Sequence, residues 1–261
     1  MRKLLVVLGL GIFVFTVPTQ AADLNGDGVD DSYISPSIYS SLEVGDIAVI
    51  DTEDGSVGTF LDRIGGLGYS ITTIPLDSTL ETWLNYSIII LPVGHANLTN
   101  YATFDALADD LHMYVNSGGG LWVGQPNPYQ MPSGTADITW VPYALTLQYE
   151  YNESDCPPEV SDATHCITQG LPSTIFSFPA DNAISYADDW QVLVVGNTTN
   201  RPGVMFAEYG SGKVLVEFSH PSPFSGCPID DAALQRYLEC LDSGTVAISE
   251  INWGSLKANF R

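Results

Sequence analysis

The sequence predicts an α/β protein built on a mostly parallel sheet, and three observations carry that expectation. Short apolar runs recur along the middle of the chain, in Asp46-Ile-Ala-Val-Ile-Asp51, Tyr86-Ser-Ile-Ile-Ile-Leu-Pro92 and Leu121-Trp-Val-Gly124. A strand buried on both faces reads as such a run, without the alternation of a half-solvated one. Between the runs lie segments with apolar residues at helical spacing, Val57 to Leu67 and Phe104 to Val115, so strands and helices alternate as in βαβ units. Hydrophobic residues at 45% and 24 glycines suit a packed core and exclude a disordered chain.

The first residues address the compartment. Arg2 and Lys3 precede an uncharged, largely apolar stretch from Leu4 to Val17, and Thr19-Gln20-Ala21 offers small residues for cleavage. This is the plan of a secretory signal over residues 1–21, with an apolar run too short for a comfortable membrane span. The mature chain is therefore expected to begin near Ala22, to be extracellular or periplasmic, and to have no stable membrane insertion after cleavage.

Residues 22–44 hold a calcium-loop pattern and a linker. In Asp23-Leu-Asn25-Gly-Asp27-Gly28-Val29-Asp30-Asp31, oxygen side chains fall at loop positions one, three, five and nine, with Gly at six. Alternate spacing lets Asp23, Asn25 and Asp27 converge on one Ca²⁺, Val29 offers its carbonyl and Asp31 closes the set. The spacing resembles the calcium loops of dockerin and thrombospondin type 3 repeats. It departs from them at position twelve, where Ile34 replaces the bidentate acid. An Asp/Gly-rich linker without an ion is the competing reading.

The main domain is expected over residues 45–242. After the first strand and helix, Tyr69 to Pro75 is β-rich, Leu80 to Leu84 forms a short helix, and Gly118-Gly-Gly turns the chain into the Leu121 strand. Further on, Trp190 to Val195, Val204 to Tyr209 and Val214 to Phe218 read as strands with turn signals between them, two of them forming a hairpin that extends the sheet. Asp230 to Leu241 is an amphipathic helix with Leu234, Tyr237 and Leu238 on one face. Residues 243–261 form a tail rich in aromatic and basic residues for this chain, a docking tag or an ordinary packed terminus.

Losing Arg2 and Lys3 takes the formal charge from −23 to −25, and no Lys or Arg occurs between Arg63 and Arg201. Such a surface repels phosphate backbones, so nucleic acid is not an expected partner. The four cysteines, Cys156, Cys166, Cys227 and Cys240, fit two disulfides in an exported protein. Of the three connectivities the sequence-local pairs, Cys156 with Cys166 and Cys227 with Cys240, are favoured. A metal site competes, without the support of a Cys-x-x-Cys spacing.

Four pieces in order carry a family resemblance: Ile88-Ile-Ile-Leu-Pro-Val-Gly-His95, Tyr114-Val-Asn-Ser-Gly-Gly-Gly-Leu-Trp-Val-Gly-Gln125, His165-Cys-Ile-Thr-Gln-Gly-Leu-Pro172 and Tyr209-Gly-Ser-Gly-Lys-Val-Leu-Val-Glu-Phe-Ser-His-Pro221. From Asp46 to Leu241 the chain resembles the class I glutamine amidotransferase-like fold, especially its ThuA-like branch. The resemblance implies a flavodoxin-like, mostly parallel sheet with helices on both faces and a C-terminal antiparallel extension. It also implies a nucleophilic Cys on the turn after the Leu121 strand, but this turn reads Gly124-Gln125-Pro126-Asn127. The family's His-Pro-Glu is matched by His220-Pro221-Ser222, so the His is present and its orienting acid is absent. With two of three roles vacant, amidotransferase activity is not expected.

A site can survive without that chemistry, because open α/β sheets bind ligands beyond the carboxyl ends of their strands. Asp51, Glu53, Asp54, His95, Gln125 and His220 all follow strand ends and define an expected crevice. Carboxylates with imidazoles suit a divalent metal or a polar ligand. The plainer reading makes His95 and His220 strand caps and Asp54 a helix-start residue. No nucleotide cofactor is expected. The preferred function is a secreted, non-catalytic module that binds a ligand, glycan or protein, with calcium ordering its N-terminus; the alternative is a hydrolase using Asp51, His95 and His220 as candidate catalytic residues.

The incomplete calcium loop is expected to bind Ca²⁺ in the weak extracellular range of about 10⁻⁴–10⁻³ M. Calorimetric titration of the mature chain should give heats that an Asp27→Ala variant lacks, and identical heats from both would remove the site.

Overall fold

The computed structural model describes residues 47–242, apart from 53–55, 94–97, 125, 127, 129–130, 132, 150–157, 174–180 and 219–230. Its first three apolar runs are strands: β1 (Ile47–Asp51), β3 (Ile88–Pro92) and β4 (Gly120–Gly124), with β2 (Ile71–Pro75) between the first two in sequence. Every residue of β3 and β4 is buried, and so are the first four of β1. The helices are α1 (Ser56–Gly66), α2 (Leu80–Trp83), α3 (Leu98–Ala106), α4 (Ala108–Asn116) and α5 (Asp231–Leu241). The later strands are β5 (Thr135–Ile138), β6 (Leu145–Tyr149), β7 (Glu159–Val160), β8 (Asp181–Tyr186), β9 (Gln191–Val195), β10 (Pro202–Tyr209) and β11 (Gly212–Glu217).

Eight strands form one sheet in the order β2-β1-β3-β4-β11-β10-β9-β7. Pairing is parallel from β2 through β11 and antiparallel from β11 to β7. This is the mostly parallel α/β sheet with an antiparallel extension that the sequence predicts. Helices cover both faces. Ile47, Val49, Ile88, Ile90 and Trp122 pack with α1 and α5 through Ile64, Leu234, Tyr237 and Leu238. The alternate residues, among them Ala48, Ile89, Leu121 and Val123, pack with Trp83, Phe104, Leu111 and Tyr114 of α2, α3 and α4. Among the described residues no helix is long and apolar enough to cross a membrane.

Tight glycine turns close the amino edge of the sheet. The β10–β11 turn lies on the end of α4, with Ser211 N donating to Asn116 O at 3.1 Å and Lys213 N to Gly119 O at 3.2 Å. A Cβ at Gly212 would collide with the carbonyls of Val115 and Gly119, and one at Gly119 with the Tyr114 ring. The Tyr114 hydroxyl in turn donates to Tyr86 O at 3.1 Å.

Three expectations need correction. The helix predicted from Phe104 to Val115 is two helices that meet at Leu107, whose backbone leaves helical geometry at φ −97° and ψ 2°. The break lets α3 turn Tyr101 and Phe104 onto Trp140, with ring centroids 6.3 and 5.2 Å apart. A second, antiparallel sheet, β5-β6-β8, was not expected at all. Its Ala136, Ile138, Leu145, Leu147 and Ala183 join the core on the α2–α4 side.

The third correction concerns the cysteines. Cys166 pairs with Cys240, 74 residues on, with Cα atoms 5.6 Å apart, so neither sequence-local pair forms. Cys156 and Cys227 lie outside the described residues. Burial explains the partner: Ile167, beside Cys166, enters the same core as Leu238, Cys240 and Leu241 of α5. Packing thus brings the loop to the helix whatever their separation along the chain. In the chain-entropy account a bridge over a loop of this length stabilises by about 4 kcal/mol, against about 3 for a ten-residue loop.

Two measurements check the bridge. Proteolytic mapping of the unreduced protein should recover a Cys166–Cys240 cross-linked peptide, and Cys166→Ser should cost about 2–5 kcal/mol in denaturant unfolding. Recovery of Cys156 linked to Cys166 would return the local pairing.

Candidate functional site

The register of the parallel strands gathers their carboxyl ends along one edge. Asp51 ends β1, Pro92 of β3 lies opposite Gly124 of β4, and Gly124 lies opposite Glu217 of β11. Hydrogen bonds continue past the strand ends. The buried Thr52 hydroxyl donates to Pro92 O at 2.8 Å, Val93 N to Gly124 O at 2.9 Å, and Phe218 N to Gly203 O at 3.0 Å. The edge is a tied rim from which the following loops depart.

Of the six expected crevice residues, Asp51 is described, exposed at the last position of β1. Glu53, Asp54, His95, Gln125 and His220 lie outside the described residues, as do the calcium-loop residues Asp23, Asn25, Asp27, Val29 and Asp31. The structure therefore gives Asp51 a place on the rim.

One residue on this rim escaped the sequence reading. Glu217, the last residue of β11, is only 2% exposed. It follows Leu215 by two positions, so its side chain lies on the sheet face that carries Leu215 and Trp122, under α1 and α5. Glycine at the paired position 124 puts no side chain beside it. Among the described residues its Oε1 has no hydrogen-bond partner. Burial pushes its pKa from 4.5 to about 8, while the Arg63 guanidinium and the Trp122 indole act in the opposite sense. The indole is near enough to favour the charged form, yet the pair falls short of hydrogen-bond geometry. Arg63 itself is held by Asp231 of α5 at 2.8 Å.

Glu217 is therefore a neutral carboxylic acid at pH 7, in the place where ligand sites of open α/β sheets form. The clue in the sequence was an acid enclosed by apolar neighbours, Val214-Leu-Val-Glu217-Phe218. An acid within an otherwise buried strand must be paired, protonated or functional.

No protein-family model matches this sequence, and no curated protein does either. Solved structures do match. A putative GMP synthase component from Thermoplasma acidophilum is 12% identical with a TM-score of 0.59, over 77% of this chain and 96% of that one. Cytoplasmic protein STM3548 from Salmonella typhimurium is 16% identical with a TM-score of 0.50, over 76% and 98% of the two chains. Cytoplasmic protein STM1381 from the same organism is 18% identical with a TM-score of 0.46, over 75% and 97%. At these identities the first two likenesses bear on the fold alone, and they are compatible with a glutamine amidotransferase-like fold.

The Glu217 carboxyl links stability to pH. Below about 4.5 both folded and unfolded chains hold the proton, and burial costs nothing extra. Between about 4.5 and about 8 the unfolded chain ionises while the folded one stays neutral, so this residue's contribution falls as pH rises and levels off above about 8. Glu217→Gln removes the titration and keeps the shape. In urea unfolding, the stability of the variant relative to wild type should rise by about 3 kcal/mol from pH 5.5 to pH 8.5. A difference that does not change with pH would refute the buried, neutral assignment.

Proposed function

We propose that this protein is a secreted, non-catalytic binding module on a glutamine amidotransferase-like scaffold, with calcium ordering its N-terminal loop. The observation that carries the reading is the exit from β4. The strand ends at Gly124, and the chain continues Gln125-Pro126-Asn127 with no thiol, hydroxyl or carboxylate to act as nucleophile. The buried acid next to that exit does not replace it, since Glu217 is neutral and faces Trp122 in the core between the sheet and α1 and α5. A neutral acid has no lone pair activated for attack.

The ligand class follows from charge. Arg63, Arg201, Lys213 and Arg236 are the cations of the described residues, and each has a partner within the fold. Recognition at the rim thus falls to carboxylates and neutral polar groups, which suits the hydroxyls of a glycan or the cations of a basic protein surface. A hydrolase remains the second reading, favoured by one feature: a carboxyl that keeps its proton at neutral pH is suited to general-acid work. At 2% exposure Glu217 is closed to a substrate in this arrangement.

Glutamine hydrolysis separates the readings for the family's own chemistry. Ammonia release from glutamine should stay at buffer level for wild type and for His220→Ala alike. Release that depends on His220 would overturn the non-catalytic reading.

A further inference from the structure

Away from the sheet rim, the loop after β7 meets the last turn of α5 and brings three metal-ligating side chains together. The ligand atoms of His165, Cys166 and Cys240 all lie within 4.8 Å of one another. His165 Nδ1 stands 3.8 Å from Cys166 Sγ. Around a tetrahedral zinc ion with bonds of about 2.0–2.3 Å, neighbouring ligand atoms are about 3.5–3.8 Å apart. The imidazole thus already stands close to the distance from one sulfur that a shared ion requires.

The loop owes this arrangement to more than the disulfide. Asp162 Oδ1 accepts hydrogen bonds from Thr164 N at 2.8 Å and Thr164 Oγ1 at 2.7 Å, and the Thr168 hydroxyl donates to Asp162 O. The His165 ring lies on Phe206 of β10, centroids 4.4 Å apart, while Ile167 is buried with the α5 core. On the helix side Cys240 is buried, and the Lys213 ammonium donates to its carbonyl. None of these contacts is made by the sulfur–sulfur bond itself. Cys166 is exposed and gives a reductant, and then an ion, a way in. The Ile167 amide donates to His165 Nδ1 at 3.3 Å, a long bond that the metal displaces.

We propose that the Cys166–Cys240 bridge is the oxidised state of a metal site in which His165, Cys166 and Cys240 bind a zinc-type divalent cation after reduction. A dithiol reductant supplies the electrons. One of its thiolates attacks Cys166 Sγ and Cys240 leaves as a thiolate. Its second thiol then displaces Cys166 and closes the reductant to its own disulfide. The two protons lost by the reductant pass to the cysteines and are released when Zn²⁺ takes both thiolates and the imidazole. Two sulfurs and one nitrogen select zinc over calcium or magnesium, which prefer all-oxygen shells. A fourth position is left for water on the exposed side.

Cobalt(II) is the probe, added to the full mature chain after reduction by a water-soluble phosphine, with Zn²⁺ as competitor. The reduced protein should bind one Co²⁺ with a thiolate-to-cobalt charge-transfer band that Zn²⁺ abolishes, and the unreduced protein should show no band. A Cys156→Ser/Cys227→Ser chain should behave as the parent. His165→Ala and Cys166→Ser should each weaken binding by at least the roughly 10–100-fold that loss of an outer-shell partner costs. Three results would overturn the proposal: no band after reduction, a band that survives in both His165→Ala and Cys166→Ser, or a band that forms only once near-ultraviolet circular dichroism shows the fold to be lost.

Discussion

Burial of the central strands on both faces governs this molecule. In β1, β3, β4 and β11 successive side chains point to opposite sides, and almost none of them reaches water. A strand with that property needs two cores, and the chain supplies them with α1 and α5 on one side and α2, α3, α4 and the small sheet on the other. Because the faces are committed to packing, polar groups move to the strand ends. Asp51, Thr52 and Glu217 mark that boundary at the carboxyl edge, where the loops begin. Packing thereby decides where recognition can occur before any ligand is considered.

The same constraint explains the behaviour of Glu217. Ionising a carboxyl in the dry layer under α1 costs more than keeping its proton, even with Arg63 near. Arg63 serves two acids, bonded to Asp231 at 2.8 Å and acting on Glu217 through space. The exposed ion pair contributes little by itself, since such pairs give about 0–1 kcal/mol. Its place between the first turn of α5 and the end of β11 matters more. It joins the last turn of α1 to the first turn of α5, the two helices that cover the face on which Glu217 lies.

What could be read from the sequence divides along the line between local and long-range signals. Runs such as Ile88-Ile-Ile-Leu-Pro92 announce themselves, because a buried parallel strand has no polar residue to hide. Helix α5 shows its buried Leu234, Tyr237 and Leu238 at helical spacing, and the structure agrees. The short strands β5, β6 and β8 carry no comparable pattern. They are short and include polar residues; β5 pairs with its sequence neighbour β6, and the sheet is completed only by β8, whose Tyr186 lies opposite Leu145. The cysteine pairing failed for the same reason, since the approach of Cys166 to Cys240 is set by burial of Ile167 against α5 and not by spacing. At the site, Asp51 was legible as a strand-end acid. Glu217 was missed because a single acid in an apolar run looks like the end of a strand until the second face is known to be covered.

Charge gives the last constraint on what the rim can recognise. The chain has 8 Lys and Arg against 31 Asp and Glu, and the four cations of the described residues are spent on internal partners. Arg236 pairs with Glu239 one turn on along α5, and Lys213 caps the end of that helix. An anionic ligand approaching such a surface meets repulsion at long range, and each cation among the described residues already has a partner at contact. On the proposed reading, phosphorylated ligands and nucleic acids are the disfavoured partners. Neutral, hydroxyl-rich molecules avoid the first penalty and find carboxylate acceptors for their donors, whereas cationic ones gain from the field as well. The two classes differ in salt dependence, because attraction between opposite charges is screened over about 8–10 Å at physiological ionic strength and hydrogen bonding to hydroxyls is not. On the proposed binding reading, the response of binding to salt would report which kind of partner the rim takes.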